Sequence, residues 1–178
     1  MIVRPVEARD AHAARAILGS LWGEPSPYAA RVHELFDAAA SGTSAEQRAL
    51  VSLDGDAVVG IAIYGHVAGA NGAAQLYLIA VAPEHEHQGV GSALLTAVRE
   101  RLTRDGARVV LAELPDESDV RPLIAVLKRS GFHEEARIAD YFRDGVALCF
   151  LRLDLSPRIG HSRAEPASSE STDTTTAD

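Results

Sequence analysis

The chain of 178 residues is long enough for one domain with a well-packed core and too short for two ordinary ones. Its hydrophobic fraction of 47% and charged fraction of 24% are those of a globular, soluble protein. The formal net charge of −8 argues against a nucleic-acid partner, which needs clustered Lys and Arg, and mildly favours a cationic substrate such as an amine.

The N-terminal part of the chain predicts a short strand followed by two helices. Residues 2–6 alternate weakly between apolar and polar, as a strand does. Asp10 is placed to cap a first helix over residues 11–21. Pro25 breaks that helix, and apolar spacing predicts a second one over residues 28–40.

A hairpin comes next. The β-rich runs at residues 49–53 and 57–67 are separated by Asp54-Gly55-Asp56, which is a strong turn signal. A second turn, over residues 69–74, leads into the following apolar run. The sheet is therefore predicted to be antiparallel up to that run.

The most informative stretch runs from residue 76 to residue 104. Residues 76–81 form an almost unbroken apolar run ended by Pro83, which is typical of a strand buried on both faces. From Gly89, apolar residues recur at the spacing of one helix face to about Arg104. A strand, a polar loop, two glycines and a helix N-terminus together predict an anion site suited to phosphate.

The C-terminal part predicts a strand, a helix and two more strands. Residues 107–114 read as a strand parallel to the central one, because a helix connects the two. Ser118 or Asp119 can cap the next helix, which is predicted to end at Gly131. The last two strands are predicted over residues 132–138 and 146–153, joined by a loop with the sequence ADYFRDG.

Composition changes abruptly after Leu155. Residues 156–178 are rich in Ser, Thr, Pro and Ala and cannot bury enough surface to offset their ordering entropy. The sequence therefore predicts a folded domain over residues 1–155 and a disordered tail over residues 156–178.

The segment Glu86-His87-Gln88-Gly89-Val90-Gly91, preceded by IAVAPEH, resembles the acyl-CoA-binding core of the GNAT superfamily, the Gcn5-related N-acetyltransferases. That signature is Arg or Gln, two residues, Gly, one residue, then Gly or Ala. Gly131-Phe132 also resembles the helix-to-strand junction of the family. The resemblance implies an α/β (α+β) GNAT fold, with a central, mixed, twisted sheet of six to seven strands flanked by helices.

The resemblance also implies a coenzyme site. In the family, the loop and the helix N-terminus hold the pyrophosphate of coenzyme A, and the end of the central strand binds its pantetheine arm. Acetyl-CoA is thus the implied co-substrate, and the matching positions are Ile79, Ala80, Val81, His87, Gln88, Gly89, Val90, Gly91 and Ser92. Glu86 departs from the signature, so either its side chain points to solvent or coenzyme binding is weakened.

Transfer of an acetyl group to an amine needs a base, because a protonated amine has no lone pair. Glu113 resembles, by its place late in a strand, the glutamate of the protein N-terminal-amine acetyltransferases; the plainer reading is a solvated acid. Gln75 stands at another base position of the family and could orient a water. The usual acid tyrosine is replaced by Leu127, and Tyr141 is the candidate substitute, whereas Tyr77 and Tyr64 are expected to pack in the sheet.

Some of these residues also fit a simple structural explanation or the motifs of other families. The alternation of Glu84, His85, Glu86 and His87 lacks a third placed ligand and predicts a solvated loop, not a metal site. Protonated His85 or His87 could instead offset Glu86 beside the phosphate, so that coenzyme affinity rises toward pH 6. Leu94 occupies the third glycine position of a dinucleotide fingerprint, which argues against a dinucleotide-binding oxidoreductase.

The sequence therefore predicts an enzyme that transfers an acetyl group from acetyl-CoA to a primary amine of a small molecule or a protein. The competing prediction is a catalytically degraded, acyl-CoA-binding or sensor module. With no membrane span, no signal segment and only Cys149, which is expected in the core, a cytoplasmic location is predicted. Family members often form dimers, so a homodimer is left open.

Overall fold

The computed structural model describes residues 1–21, 27–44 and 46–156, with only the backbone described for residues 27–29. Pro25 and all but the first residue of the predicted tail therefore lie outside the described residues. The strands are β1 (Ile2–Pro5), β2 (Gln47–Asp54), β3 (Ala57–His66), β4 (Ala73–Val81), β5 (Val109–Pro115), β6 (His133–Arg143) and β7 (Val146–Asp154). The helices are α1 (Ala11–Ser20), α2 (Pro27–Ala40), α3 (Val90–Arg104) and α4 (Arg121–Arg129), with short 3-10 turns at Ala8–Asp10 and Pro83–His85.

The seven strands form one mixed sheet in the order β1-β2-β3-β4-β5-β7-β6. Every neighbouring pair is antiparallel except β4 and β5, which are parallel and connected through α3. The predicted mixed sheet flanked by helices, with the antiparallel part first, is confirmed.

Helices cover both faces of the sheet. On one face α3 and α4 bury side chains such as Leu94, Leu102 and Leu127 against the middle strands. On the other face α1 and α2 bury Leu18 and Phe36 against β3 and the end of β4. Within the described ranges, no helix has the length and apolar character needed to cross a membrane.

Gly60 in β3 lets α3 approach the sheet closely. A Cβ atom at Gly60 would lie 2.7 Å from Val90 Cγ1 and 3.2 Å from the carbonyl oxygen of Ala80. The first turn of α3 is therefore seated directly on β3 and β4, which fixes the start of the helix relative to the end of the central strand.

The sheet forks between β4 and β5. Pairing between them stops at Leu76 and Ala112, although β4 continues to Val81. Beyond the fork β5 stays paired with β7, as far as Pro115 opposite Leu148. On its other side β4 carries a bulge at Tyr77, where its register against β3 shifts.

The two predicted helix caps have different outcomes. Asp10 is the N-cap residue of α1, as predicted, but its carboxylate makes no cap to that helix. It accepts hydrogen bonds from Arg4, at 2.7 and 2.9 Å, and from the backbone N–H of Glu7, in a capping box of the preceding 3-10 turn. The cap predicted for α4 is wrong, because the residue before α4 is Val120, not Ser118 or Asp119, and it makes no side-chain cap.

The predicted ADYFRDG loop is also wrong, because β6 continues through most of it to Arg143. The extra residues are accommodated by a bulge between Ile138 and Arg143, in which Asp140 has a φ of 52°. The Asp140 carboxylate accepts a hydrogen bond of 2.7 Å from the Gly145 N–H and so closes the turn to β7. Tyr141 therefore lies in a strand, not in a connecting loop.

Candidate functional site

The start of α3 exposes several backbone N–H groups. Gly89 is the N-cap residue with a φ of 84°, and the first intrahelical bond joins the Ala93 N–H to the Gly89 carbonyl at 3.0 Å. Helix geometry leaves the N–H groups of residues 89–92 without an intrahelical acceptor. These groups and the positive end of the α3 dipole favour an anion at this point.

The loop before α3 has a backbone conformation that the sequence did not reveal. His87 has a φ of 60°, which is rare for a residue with a side chain. His87 and Gly89 are both left-handed, and turns that contain left-handed residues can form the concave backbone sites that bind anions. No atom lies within 4 Å of a Cβ built on Gly89, so the space beside this residue is open.

The side chains of the loop stabilise its backbone and do not cover the anion site. The Gln88 amide donates a hydrogen bond of 2.9 Å to the Glu84 carbonyl. Glu86 is exposed, as the first of the two sequence alternatives requires, and its carboxylate has no ion pair with a described residue. Val90 is buried beneath the loop, whereas Ser92 is exposed on the outer side of the first helical turn.

His85 connects the loop to the β2–β3 hairpin. Its Nε2 atom lies 3.7 Å from Oδ2 of Asp54, which ends β2. Its Nδ1 atom is buried and has no hydrogen-bond partner among the described residues. His87, by contrast, is exposed. The distance between the His85 ring and the Asp54 carboxylate is therefore longer than that of a hydrogen bond.

The fork opens into a narrow cleft between β4, β5 and α4. Its walls are apolar except for Tyr77; they comprise Leu76, Tyr77, Leu78, Ile79, Ala112, Leu114, Leu123 and Leu127. Leu127, which replaces the usual tyrosine, is 1% exposed. Tyr77 lies in the sheet, as predicted; it is at the β4 bulge, lines this cleft and also packs against the core on the α1 and α2 side.

The end of β4 directs backbone donors toward the fork. The Ala82 N–H donates to the Val59 carbonyl of β3 at 2.9 Å. Because N–H directions alternate along a strand, the N–H of Ala80 also points to β3, and those of Ile79 and Val81 point to the open side. Within the described residues, no strand pairs with β4 on that side beyond Leu76 to accept them.

Glu113 is the first residue of β5 beyond the fork. It pairs with Phe150 of β7 and is partly buried. Its carboxylate makes no ion pair or hydrogen bond with any described residue, so it is available to a ligand. Gln75 lies before the fork, opposite Leu111, on the still-paired part of β4.

Tyr141 is not next to Glu113. It lies in β6, the outermost strand, with β7 between β6 and β5. Strand spacing puts the backbones of β6 and β5 about 10 Å apart. Tyr141 is 54% exposed, and its ring contacts that of Phe142 edge-on at 5.0 Å.

A group of charged residues anchors the end of β5. The Asp116 carboxylate accepts hydrogen bonds from Arg121 of α4 and Arg137 of β6. Arg137 also binds Glu134, which in turn accepts from Lys128 at 2.9 Å. Hydrogen bonds from Arg137 and then Lys128 lower the pKa of Glu134 to about 2, and those from Arg121 and Arg137 lower the pKa of Asp116.

The two remaining side-chain predictions concern a metal and the cysteine. Among the residues that the structure describes, no three His, Cys, Asp or Glu side chains come together as a metal site. Cys149 is fully buried in the core, as predicted, and burial raises its pKa. A buried neutral thiol is a core residue, not a nucleophile.

The sequence model of the acetyltransferase (GNAT) family matches residues 13–132, which is more than half of the chain. The chain therefore belongs to the GNAT family of acetyltransferases, and the resemblance inferred from the glycine loop is confirmed. A search of curated protein sequences found no significant match.

Solved structures share the fold. A protein of Desulfovibrio desulfuricans assigned to the GNAT acetyltransferases is 29% identical, with a TM-score of 0.77 over 87% of this chain and 99% of that one. The ribosomal-protein-S18-alanine N-acetyltransferase of Escherichia coli has a TM-score of 0.70 at 20% identity, over 93% of this chain and 98% of that one. The aminoglycoside 6'-N-acetyltransferase of Enterococcus faecium has a TM-score of 0.71 at 14% identity, over 89% and 99%.

Proposed function

We propose that the protein transfers an acetyl group from acetyl-CoA to a primary amine of a small molecule or a protein. One observation carries this proposal. The start of α3 lies against Ile79 and Val81 at the free end of β4, and Glu113 is the first residue of β5 beyond the same fork. Glu113 is on the opposite face of the strand from the cleft-lining Ala112 and Leu114. An anion site and a base beside an apolar cleft are what transfer from a coenzyme thioester requires.

The coenzyme would be held mainly by backbone groups. The N–H groups of residues 89–92, with the turn at His87 and Gln88, suit a pyrophosphate. The end of β4, from Ile79 through Ala80 to Val81, suits the pantetheine arm, which can pair with a strand that has lost its neighbour. Acetyl-CoA supplies a thioester that is reactive toward amines.

The base in this proposal is Glu113. A carboxylate without an ion-pair partner, partly withdrawn from water, can take a proton from an ammonium group directly or through a water. The N–H groups of Ile79 and Val81 are the candidate donors for the oxyanion that forms when the amine attacks.

A proton donor to the leaving thiolate is less important, because a thiol has a pKa of about 8.5. Tyr141 was the sequence candidate for this role, but its strand is distant from the fork. Tyr77 lines the cleft itself, so we propose it as the better candidate of the two. Both assignments are tested by replacing the tyrosine with phenylalanine, which removes only the hydroxyl.

A degraded module that binds acyl-CoA without transfer is the second candidate. It is favoured by Glu86 in the anion loop and by Leu127 in the cleft, where the family signature has other residue types. Under either function we propose a cytoplasmic protein with a folded domain over residues 1–155, and a homodimer remains open.

The test is an amine panel assayed with the full chain by release of free coenzyme A thiol. Primary amines of small molecules and peptide N-termini should be included as separate sets. The proposal expects release above the amine-free rate with at least one set. Acetyl-CoA binding without release for any amine would favour the degraded module.

A further inference from the structure

A second pocket lies at the opposite end of the sheet from the glycine loop. It has a volume of about 130 Å³ and is bounded by the end of β1, the start of β2, the end of β3 and the C-terminal part of α3. Arg101 lines it and lies ten residues along α3 from Gly91, which corresponds to about 15 Å of helix. The pocket is therefore separate from the proposed coenzyme site.

The polar wall of this pocket consists of two arginines, a phenol and Gln47, whose amide oxygen accepts a hydrogen bond from Ser44. Arg48 of β2 is directly opposite Tyr64 of β3, and Arg101 approaches from α3. Neither guanidinium forms an ion pair or hydrogen bond with any described residue, although eight other arginines of the described chain are in ion pairs. Two arginines without an ion-pair partner, the exposed Arg48 and the partly buried Arg101, thus line one pocket in a chain with a net charge of −8.

Tyr64 supplies a hydrogen-bond donor at this pocket. Its side chain is 2% exposed and lines the pocket, and its hydroxyl makes no hydrogen bond with a described residue. The buried side-chain polar atoms without a partner in the described chain are Ser52 Oγ and His85 Nδ1, so the Tyr64 hydroxyl is the part of the side chain that reaches the open space of the pocket. An occupant of the pocket can accept a hydrogen bond from it, and the arginines on either side favour a negatively charged acceptor.

The charges around the phenol agree with this reading. Burial raises the pKa of Tyr64, whereas Arg101 and then Arg48 act to lower it. Asp105, just beyond the end of α3, acts in the opposite direction to the arginines, and its influence is smaller than that of either. At the phenol the two arginines therefore outweigh Asp105, and burial keeps the phenol a neutral donor.

The rest of the pocket is apolar. Pro5, Val6, Ala39 and Ala49 line the wall facing the polar groups. A bare inorganic ion would leave that wall without contacts, whereas a short aliphatic chain would fill it. The volume admits only a few non-hydrogen atoms.

We infer that this pocket binds a small carboxylic acid with a short aliphatic chain, whose carboxylate accepts hydrogen bonds from Arg48, Arg101 and the Tyr64 hydroxyl. This would be a ligand site in addition to the acyl-transfer site, and the inference does not rest on the proposed function.

The test uses butyrate as the probe and the full chain, followed by ¹H–¹⁵N NMR at constant ionic strength set with chloride. Saturable shifts should appear at the amides of Tyr64 and Arg101. In the double variant Arg48→Gln/Arg101→Gln, binding should weaken tenfold or more, since charge-assisted hydrogen bonds are lost. Tyr64→Phe should weaken binding severalfold while keeping the ring in the core.

The matched control is Arg99→Gln/Arg104→Gln, which removes the same charge from the exposed face of α3 and should leave butyrate affinity unchanged. Equal weakening in the control would overturn the inference, because the effect would then be one of net charge. Saturating coenzyme A should not abolish the butyrate shifts; if it does, butyrate occupies the fork instead. Inorganic phosphate should bind at least fivefold more weakly than butyrate, and equal or tighter binding would overturn the carboxylate assignment.

Discussion

The two sides of the fork are built in different ways. On the β4 side the site consists of backbone: a strand end, a left-handed loop and the first turn of α3, seated on β3 through Gly60. On the β5 side it consists of side chains: Glu113, with the charged group around Asp116 behind it.

Under the proposed function, coenzyme binding would depend on the backbone of the β4 side, and the choice of amine on the side chains of the β5 side. Backbone donors depend on chain geometry, so most side-chain changes on the β4 side should alter coenzyme binding little unless they move the backbone. The β5 side depends on the residue present at each position. Substitutions on the two sides should therefore separate coenzyme binding from catalysis.

The largest effect is expected from Glu113→Gln. Removing the proposed base should lower kcat by about 10²–10³-fold, the usual contribution of general base catalysis. The affinity for acetyl-CoA, measured by calorimetry, should not change, because Glu113 lies on the opposite side of the fork. Glu100→Gln on the exposed face of α3 is the control; similar losses in both variants would show that Glu113 is not the base.

The next largest effect is expected from a substitution on the β4 side. Gly60→Ala introduces a Cβ atom 2.7 Å from Val90 Cγ1 and 3.2 Å from a backbone carbonyl oxygen, and overpacking of this kind costs about 1–3 kcal/mol of unfolding free energy. The shift of the α3 start should also weaken acetyl-CoA binding. Urea unfolding and calorimetry measure the two quantities.

Gly19→Ala supplies the matched control for that substitution. Gly19 lies inside α1 with no atom within 4 Å of its Cβ position. Alanine there should stabilise the protein by about 0.5–1 kcal/mol through helix propensity. If both variants were equally stable, the close packing of α3 on β3 would not be as described.

A smaller effect concerns the charges behind Glu113. Arg137→Gln removes the partner that, with Lys128, lowers the pKa of Glu134 to about 2 from 4.5. A carboxyl group whose pKa is lowered in the folded state stabilises the fold at pH values above its ordinary pKa. This stabilisation is lost as pH falls from about 4.5 toward 2. Because the pair is partly exposed, we expect a loss of about 1 kcal/mol at pH 7.

Urea unfolding at pH 7, 4 and 2.5 checks this sign. The difference between wild type and Arg137→Gln should shrink as pH falls, whereas Arg129→Gln on the exposed side of α4 should match wild type throughout. A difference that grows toward low pH would contradict the assignment of Glu134.

The smallest effect is expected from Tyr141→Phe. The tyrosine is exposed in the outermost strand, and a thiolate leaving group needs little help, so kcat should fall less than tenfold. Tyr77→Phe in the cleft should lower kcat more than Tyr141→Phe does. The reverse order, measured by the same thiol-release assay, would return the acid role to Tyr141.

The sequence predicted what depends on local pattern. The strand at residues 76–81, the glycines and the amphipathic α3 are contiguous, so their apolar spacing and turn residues were sufficient. It did not predict what depends on pairing between distant segments. The bulges at Tyr77 and in β6 arise from register against β3 and β7, and the start of α4 depends on contacts of Asp116 with β6 and β7.

The same distinction applies to the site. Glu113 was predicted because it follows the glycine helix at a recognisable distance; it lies one residue beyond the last β4–β5 pair, and its role as a base stays a prediction. The positive φ of His87 and the contact of His85 with Asp54 could not be predicted from the sequence, because a positive φ occurs in only a few per cent of non-glycine residues and the contact joins two separate segments of the chain.

Isothermal titration with acetyl-CoA tests most directly whether the backbone loop of α3 is a coenzyme site despite Glu86. Wild type should bind one equivalent with micromolar affinity, since the donors are backbone N–H groups and Glu86 is exposed. Glu86→Arg should tighten binding by about three- to tenfold, because a positive side chain replaces a negative one near the phosphate. Glu84→Arg should tighten binding by less. No binding by wild type, with binding gained in Glu86→Arg, would contradict the account and identify a site that has kept its shape but lost its coenzyme.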